Sequence, residues 1–213
     1  LGKLGNTTNR QIPDSRDLAR EFSTFQASYH PVEGAGRNRI MPAGSFVAGW
    51  TQDSIVSCSD CHQNDAPSNG GKGPHGSSLM HILGGTSNYV TQEDPATDCG
   101  AGACGPVHNS GELCFKCHQY GTYAGNTNLG TTTNFRKGNE NLHTFHDFTA
   151  CYTCHDTHGS EQDRLINFNT EVVTTDPGYN SQSAWRFDYA TNTGTCAVAC
   201  HGLNHSSSET YSR

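Results

Sequence analysis

Branched aliphatic residues are scarce in this chain: Leu, Ile and Val together number 23 of 213. Even with 9 Phe added, the apolar share stays where a chain cannot bury enough surface to fold unaided. An ordinary one-domain hydrophobic core is thereby excluded. No apolar run approaches the roughly 20 residues of a membrane span. Basic residues are few as well, 13 Lys+Arg against 20 Asp+Glu, for a formal net charge of −7. With no basic run and a pI near 5.9, nucleic acid and anionic membrane are excluded as partners. The first residue is Leu and not Met, and we expect a mature form whose export signal has been removed. What the chain has in quantity is 24 Gly, 10 Cys and 12 His. Glycine favours turns over regular elements; the Cys and His point to a chain folded around something it does not encode.

Three stretches have the form Cys-x-x-Cys-His: Cys58–His62, Cys114–His118 and Cys151–His155. A fourth is one residue longer, Cys196-Ala197-Val198-Ala199-Cys200-His201. Composition alone would give far fewer than one such segment. The spacing suits covalent haem: two thiols add to the two vinyl groups on one edge of the ring, and the adjacent His ligates iron from the proximal side. Four haems are therefore expected, on Cys58 and Cys61, Cys114 and Cys117, Cys151 and Cys154, and Cys196 and Cys200. Their proximal ligands are His62, His118, His155 and His201. In the fourth motif the added residue is expected to bulge away from the ring.

Zinc is the alternative, since Cys-x-x-Cys pairs also build tetrahedral sites. Zinc does not call for His directly after every second Cys, and it would leave the remainder of the chain without a core. A thioredoxin-like role lacks any surrounding βαβ pattern. Cys99 and Cys104 stand apart, followed by Gly105 and not His; in an exported protein they read as a short-loop disulfide.

Eight further histidines and only two Met are available for the distal faces, so bis-His coordination throughout is expected. A six-coordinate iron leaves no position for substrate, which points to an electron carrier and away from an enzyme. His158 follows His155 by three residues and can reach a neighbouring haem. His75, in Gly-Pro-His-Gly-Ser, echoes His158-Gly159-Ser160. His143 and His146 lie on one face if their segment is helical, and could serve two irons. His30 sits 28 residues before the first attachment cysteine, which suits an arm reaching a distant haem in this chain or another. These five compete for four places unless a seat is shared between subunits. His81, His108 and His205 read as polar loop residues.

The first attachment cysteines are spaced by 56, 37 and 45 residues, which is no solenoid repeat. We expect a single tetrahaem domain: an N-terminal arm over 1–45, placed to contact a neighbouring subunit, and a haem-binding body over 46–213. The fold class is mostly irregular coil with short α-helices and little or no sheet, organised around a haem stack. In the arm, Asp14 or Ser15 caps a short helix with Leu18, Phe22 and Phe25 on one face; Ser110 caps another running into Cys117. Residues 125–138 read as irregular loop. Porphyrin faces replace the missing core, with Phe, Tyr and Trp packing their edges, and the apo-protein is not expected to fold.

Ser28-Tyr29-His30-Pro31, the Cys58–His62 motif followed by Gly73-Pro74-His75-Gly76-Ser77, and Cys151–His158 followed by Gly159 carry a resemblance. On these residues, and on four attachment motifs in this length, the chain resembles the multihaem c-type cytochromes of bacteria and archaea. It is most similar to the tetrahaem cytochromes that polymerise into extracellular filaments, or nanowires. The resemblance implies a secreted, loop-rich protein with low-potential bis-His haems. It implies head-to-tail homopolymerisation in which one subunit lends a distal His to the next, with His30 as the lender, and electron exchange with other redox cytochromes. Two other readings share the motifs: a monomeric periplasmic shuttle, and an oxyanion reductase with one five-coordinate iron.

Overall fold

A Cys-x-x-Cys-His segment has room for one helical turn between its cysteines, and each of the three regular segments forms one. The computed structural model describes residues 18–37, 40–64, 75–77, 82–84, 108, 110–124, 133–146, 149–169, 173–175, 184–188, 190–191, 193–200, 203–205 and 210–212. Of residues 200, 203–205, 210 and 212 the backbone alone is described. The first motif is the helix Cys58–Cys61, the second lies on a 3-10 turn at Leu113–Lys116, and the third is the helix Cys151–Cys154. In each, the histidine N–H donates to the first cysteine's carbonyl, at 2.7 Å for His62, 3.0 Å for His118 and 3.0 Å for His155. Asp60 accepts from Ser57 N–H and Oγ, closing the first turn as a reciprocal cap does.

The chain then grips each histidine in the same way. His62, His118 and His155 form isolated antiparallel bridges with Leu83, Phe46 and Ile166 respectively. The residue after each bridge partner donates to the second cysteine's carbonyl: Gly84 to Cys61 at 2.7 Å, Val47 to Cys117 at 2.9 Å, Asn167 to Cys154 at 2.8 Å. Two of the gripping segments enter through a non-glycine residue of positive φ, Ile82 at 56° and Leu165 at 60°, and the third through Gly44 at 80°.

The helices described are short throughout: Leu18–Glu21, Tyr120–Tyr123 and Leu142–Phe145 also have four residues each. Leu18–Glu21 does not carry the apolar face expected of it. Leu18 is 42% and Phe25 95% exposed, while Glu21 is 1% exposed. The cause is chemical, because the Glu21 carboxylate points inward to accept from His158. Ser28–Tyr29 pairs antiparallel with Gly159–Ser160, so residues 18–29 of the expected arm pack on their own chain. Close approach depends on Gly159, where a Cβ would meet the Glu21 carbonyl oxygen at 1.8 Å. No helix runs from Ser110 into Cys117; the 3-10 turn starts from Glu112, whose side chain accepts from His108. Asp14 and Ser15 lie outside the described residues.

Strands of two to four residues complete the described structure, so the chain is mostly irregular, as expected from its composition. Five of them form an antiparallel sheet in the order Glu140–Asn141, Arg136–Lys137, Thr210–Ser212, Thr193–Cys196, Trp185–Asp188. At the end of the stretch read as loop, Arg136–Lys137 pairs with Glu140–Asn141, just beyond it, in a hairpin turned at Gly138, with φ 61°, as a primed two-residue turn requires. A second sheet pairs Val173–Thr175, Val198–Cys200 and Leu203–His205. Phe168, Val173, Ala184, Trp185, Val198 and Tyr211 pack as a small core between these sheets. The fourth motif is part of this region, running from one strand into the next instead of forming a helical turn. Its extra length does not bulge away: Ala197 and Val198 are buried, and Ala197 N–H donates to the Ala184 carbonyl. The apolar Ala-Val-Ala insert prefers the core to solvent.

Gly194 lies opposite Tyr211, and a Cβ there would fall 2.0 Å from Tyr211 Cζ. Gly194→Ala is expected to lower stability by about 1–3 kcal/mol through overpacking. Gly121→Ala, on a helix with nothing within 4 Å of the added atom, should raise it by up to about 1 kcal/mol. Denaturant unfolding of the two variants checks this, and equal midpoints would contradict it.

Candidate functional site

Three of the proximal histidines face a histidine from elsewhere in the chain. Ring centres are 6.2 Å apart for His62 and His158, 6.3 Å for His118 and His30, and 6.4 Å for His155 and His143. A metal–imidazole bond spans about 2 Å, and each ligating nitrogen sits a little over ~1 Å from its ring centre, given C–N bonds near 1.33 Å. Two such reaches laid end to end give about 6.3 Å. The three spacings match two imidazoles on opposite sides of one iron. Among the described residues, no group of three or more His, Cys, Asp or Glu converges as on a single ion. The histidines come in twos.

Hydrogen bonds set the tautomers. His30 Nδ1 donates to the Thr157 carbonyl at 2.8 Å, and its backbone N–H to the His158 carbonyl at 2.8 Å. His155 Nδ1 donates to the Arg164 carbonyl at 2.8 Å, and His158 Nδ1 to the Glu21 carboxylate at 2.8 Å. Each leaves its lone pair on Nε2, the form in which imidazole binds a metal. His143 Nδ1 is buried with no hydrogen-bond partner among the described residues. Burial lowers the pKa of His30 and His155, that of His118 to about 4 and that of His143 to about 3. All four are neutral at pH 7, as ligation requires. Aromatic rings flank them: Phe46 and Tyr123 at His118, Tyr123 and Phe135 at His143, Phe22 at His158.

The attachment segments follow one another in space as they do in the chain. Lys116, inside the second motif, donates to the Asp60 carbonyl of the first. Burial pushes the Cys117 thiol up to about 11, with Cys61 close enough to add to the shift. The Cys114 thiol donates to Cys151, which raises its own pKa and lowers that of its partner. Cys154 and Cys196 pack against the same C-terminal core. The described residues of the three regular motifs fit covalent haem, each with a facing histidine; of the fourth motif, Cys200 is described in backbone alone.

His146 is not opposite a described proximal histidine; its Nδ1 donates to the Leu142 carbonyl at 2.7 Å and its ring faces Phe135. His75 is exposed. His30 is seated within its own chain against His118, so the role of lender to a neighbouring subunit does not fit it. Cys99, Cys104, His81 and His201 lie outside the described residues, as do the side chains of Cys200 and His205. No disulfide occurs among the described cysteines.

His108 is hydrogen-bonded through both ring nitrogens, in keeping with its reading as a polar residue and not a ligand. It is buried, with Nδ1 2.6 Å from Glu112 Oε2, Nε2 2.9 Å from the Thr149 carbonyl, and its ring edge-on to Phe115. Burial alone pulls its pKa down, but the Glu112 carboxylate and its other acceptors outweigh that and raise it. Only an i,i+4 pairing with Glu112 marked it in the sequence. Glu21 was hidden as one charge in a stretch read by its apolar residues.

No family model, no curated protein and no solved structure matches the chain.

A histidine whose folded pKa exceeds its ordinary 6.5 stabilises fully below that value, and the gain is lost as pH rises through the raised one. The wild type should therefore exceed His108→Gln in melting temperature most below pH 6.5, with the margin shrinking as pH climbs. A margin that grows with pH would contradict the ion pair.

Proposed function

We propose that the chain is a tetrahaem c-type cytochrome that transports electrons outside the cell, assembled head-to-tail with copies of itself. The observation that carries the electron-transfer reading is the set of three imidazole pairs at 6.2–6.4 Å, each with one member of a Cys-x-x-Cys-His motif. When bound, haem supplies a one-electron couple at iron. The chain's own residues do the rest. His62 with His158, His118 with His30, and His155 with His143 would each hold one iron from two sides, which would leave no seat for substrate. The motif cysteines would attach the rings as thioethers, and the serial order of the motifs would set a path from the first attachment site to the fourth. Burial by Phe46, Tyr123, Phe135 and Phe22 excludes water from the imidazoles.

For the fourth iron two distal candidates are left, and they correspond to two assemblies. His146 comes from the C-terminal side, its ring on Phe135, which in turn packs against Tyr211 at 4.8 Å; it would complete a self-contained carrier. His75, exposed, is the residue a subunit could lend to its neighbour. The filament rests on the resemblance and on that exposed histidine. The monomeric periplasmic shuttle is the second reading, and His146 favours it.

Intact-mass measurement of protein matured in a haem-attaching host should find four covalent haems, with paramagnetic resonance wholly low-spin. His30→Ala, His143→Ala and His158→Ala should each turn one iron high-spin while all four attachments survive. Bare polypeptide would end the haem reading, and a high-spin iron in the wild type would revive the reductase.

Electron microscopy of native material separates the assemblies. Filaments lost in His75→Ala and kept in His146→Ala support the polymer; compact monomers in the wild type remove it.

A further inference from the structure

The three imidazole pairs differ in what lies behind the distal ring. Behind His30 the acceptor is a backbone carbonyl, Thr157. Behind His143 no acceptor meets Nδ1 among the described residues. Behind His158 it is a carboxylate, that of Glu21, at 2.8 Å with its side chain 2% exposed. On the proximal side His155 also has only a carbonyl, Arg164. A carboxylate on Nδ1–H draws the proton toward itself and makes the imidazole a stronger donor to metal, an effect that a neutral carbonyl exerts far less. A buried negative charge beside the ring acts in the same sense, because a low dielectric preserves its field. Both favour the ferric state.

The site is built for this contact and not merely decorated by it. The Glu21 carbonyl lies against the bare Cα of Gly159, the residue after His158, where any Cβ would clash at 1.8 Å. Phe22 covers the His158 ring at 4.6 Å. The other buried carboxylate nearby, Asp156, is spent on the backbone N–H groups of His158 and Gly159 and on Asn167 Nδ2.

We propose that Glu21 is a positioning residue that sets the iron between His62 and His158 at the lowest reduction potential of the three pairs. This inference rests on the tetrahaem reading above. Reduction at that seat adds one electron from a reduced carrier of lower potential; no ligand bond is made or broken and no proton moves. The added charge is opposed by the Glu21 carboxylate.

The test is spectroelectrochemical titration of the holoprotein with Glu21→Gln, which keeps the shape and an acceptor oxygen but removes the charge. One of four one-electron steps should shift to higher potential, the low-spin signal staying intact. The step is assigned by the variant's changed nuclear resonances at His158 and His62. Arg20→Gln, which removes a charge from an exposed pair with Glu161 at 3.3 Å, should raise no step. Unchanged steps in Glu21→Gln overturn the proposal. A new high-spin signal also overturns it, since Glu21 would then seat the ligand and not tune it. Should the variant fail to fold, the Nδ1 nitrogen shift of His158 in the wild type decides: it must stand apart from those of His30 and His155. Wild-type protein without covalent haem would remove the reading underneath, a failure distinguishable by mass alone.

Discussion

Everything described depends on how a chain poor in aliphatic side chains fixes the direction of a few imidazoles. It does so by main-chain means. Each regular motif folds into one turn, closes it with the histidine's own N–H, and exposes the second cysteine's carbonyl to a distant strand. That carbonyl takes a hydrogen bond from Gly84, Val47 or Asn167, and the histidine between is clamped in a bridge. Backbone hydrogen bonds can set geometry at any composition. They cannot supply a core, and among the described residues the cluster of buried apolar side chains lies at the C-terminal sheets.

Elsewhere the interior is polar. Glu21, Asn141, Thr153, Ser45 and Ser160 are among the most deeply buried side chains. Asn141 donates to the Thr122 carbonyl while its oxygen accepts from Thr133 and His143 N–H. Such groups cost little when satisfied but contribute little net stability. The described interior therefore holds little of the apolar surface that offsets chain entropy. The aromatic residues around His118, His143 and His158 supply part of what it has.

The mostly irregular fold was legible in the composition, and the one-turn motifs in their spacing; the partner each histidine meets was not. Cys-x-x-Cys-His is a local pattern, and the hydrogen bond that closes its turn acts over five residues. The facing histidines are set by tertiary approach. His158 reaches back past two motifs to His62, and nothing in Cys-His-Asp-Thr-His says so. His30 looked like an arm because its 28-residue lead carries no periodicity, yet Ser28–Tyr29 zips onto Gly159–Ser160 and delivers it to His118. The short helix at Leu18–Glu21 forms, but the apolar face expected of it does not, since its buried residue is a glutamate whose partner lies 137 residues away. The C-terminal strands, three or four residues each, are too short to show alternation.

The strained backbone shows how firmly the motif histidines are gripped. Ile82 and Leu165 hold positive φ directly before the residues that bridge to His62 and His155, and Arg164, at φ 63°, offers its carbonyl to His155 Nδ1. A left-handed conformation costs a branched or bulky residue about 1–2 kcal/mol, and such a cost persists only where surrounding structure over-determines it. Here that structure is the bridge itself together with the bonds that the next residue, Gly84 or Asn167, gives to the carbonyl of Cys61 or Cys154. The motif turns need none of this, because their own hydrogen bonds are local; the segments that grip them bear the strain.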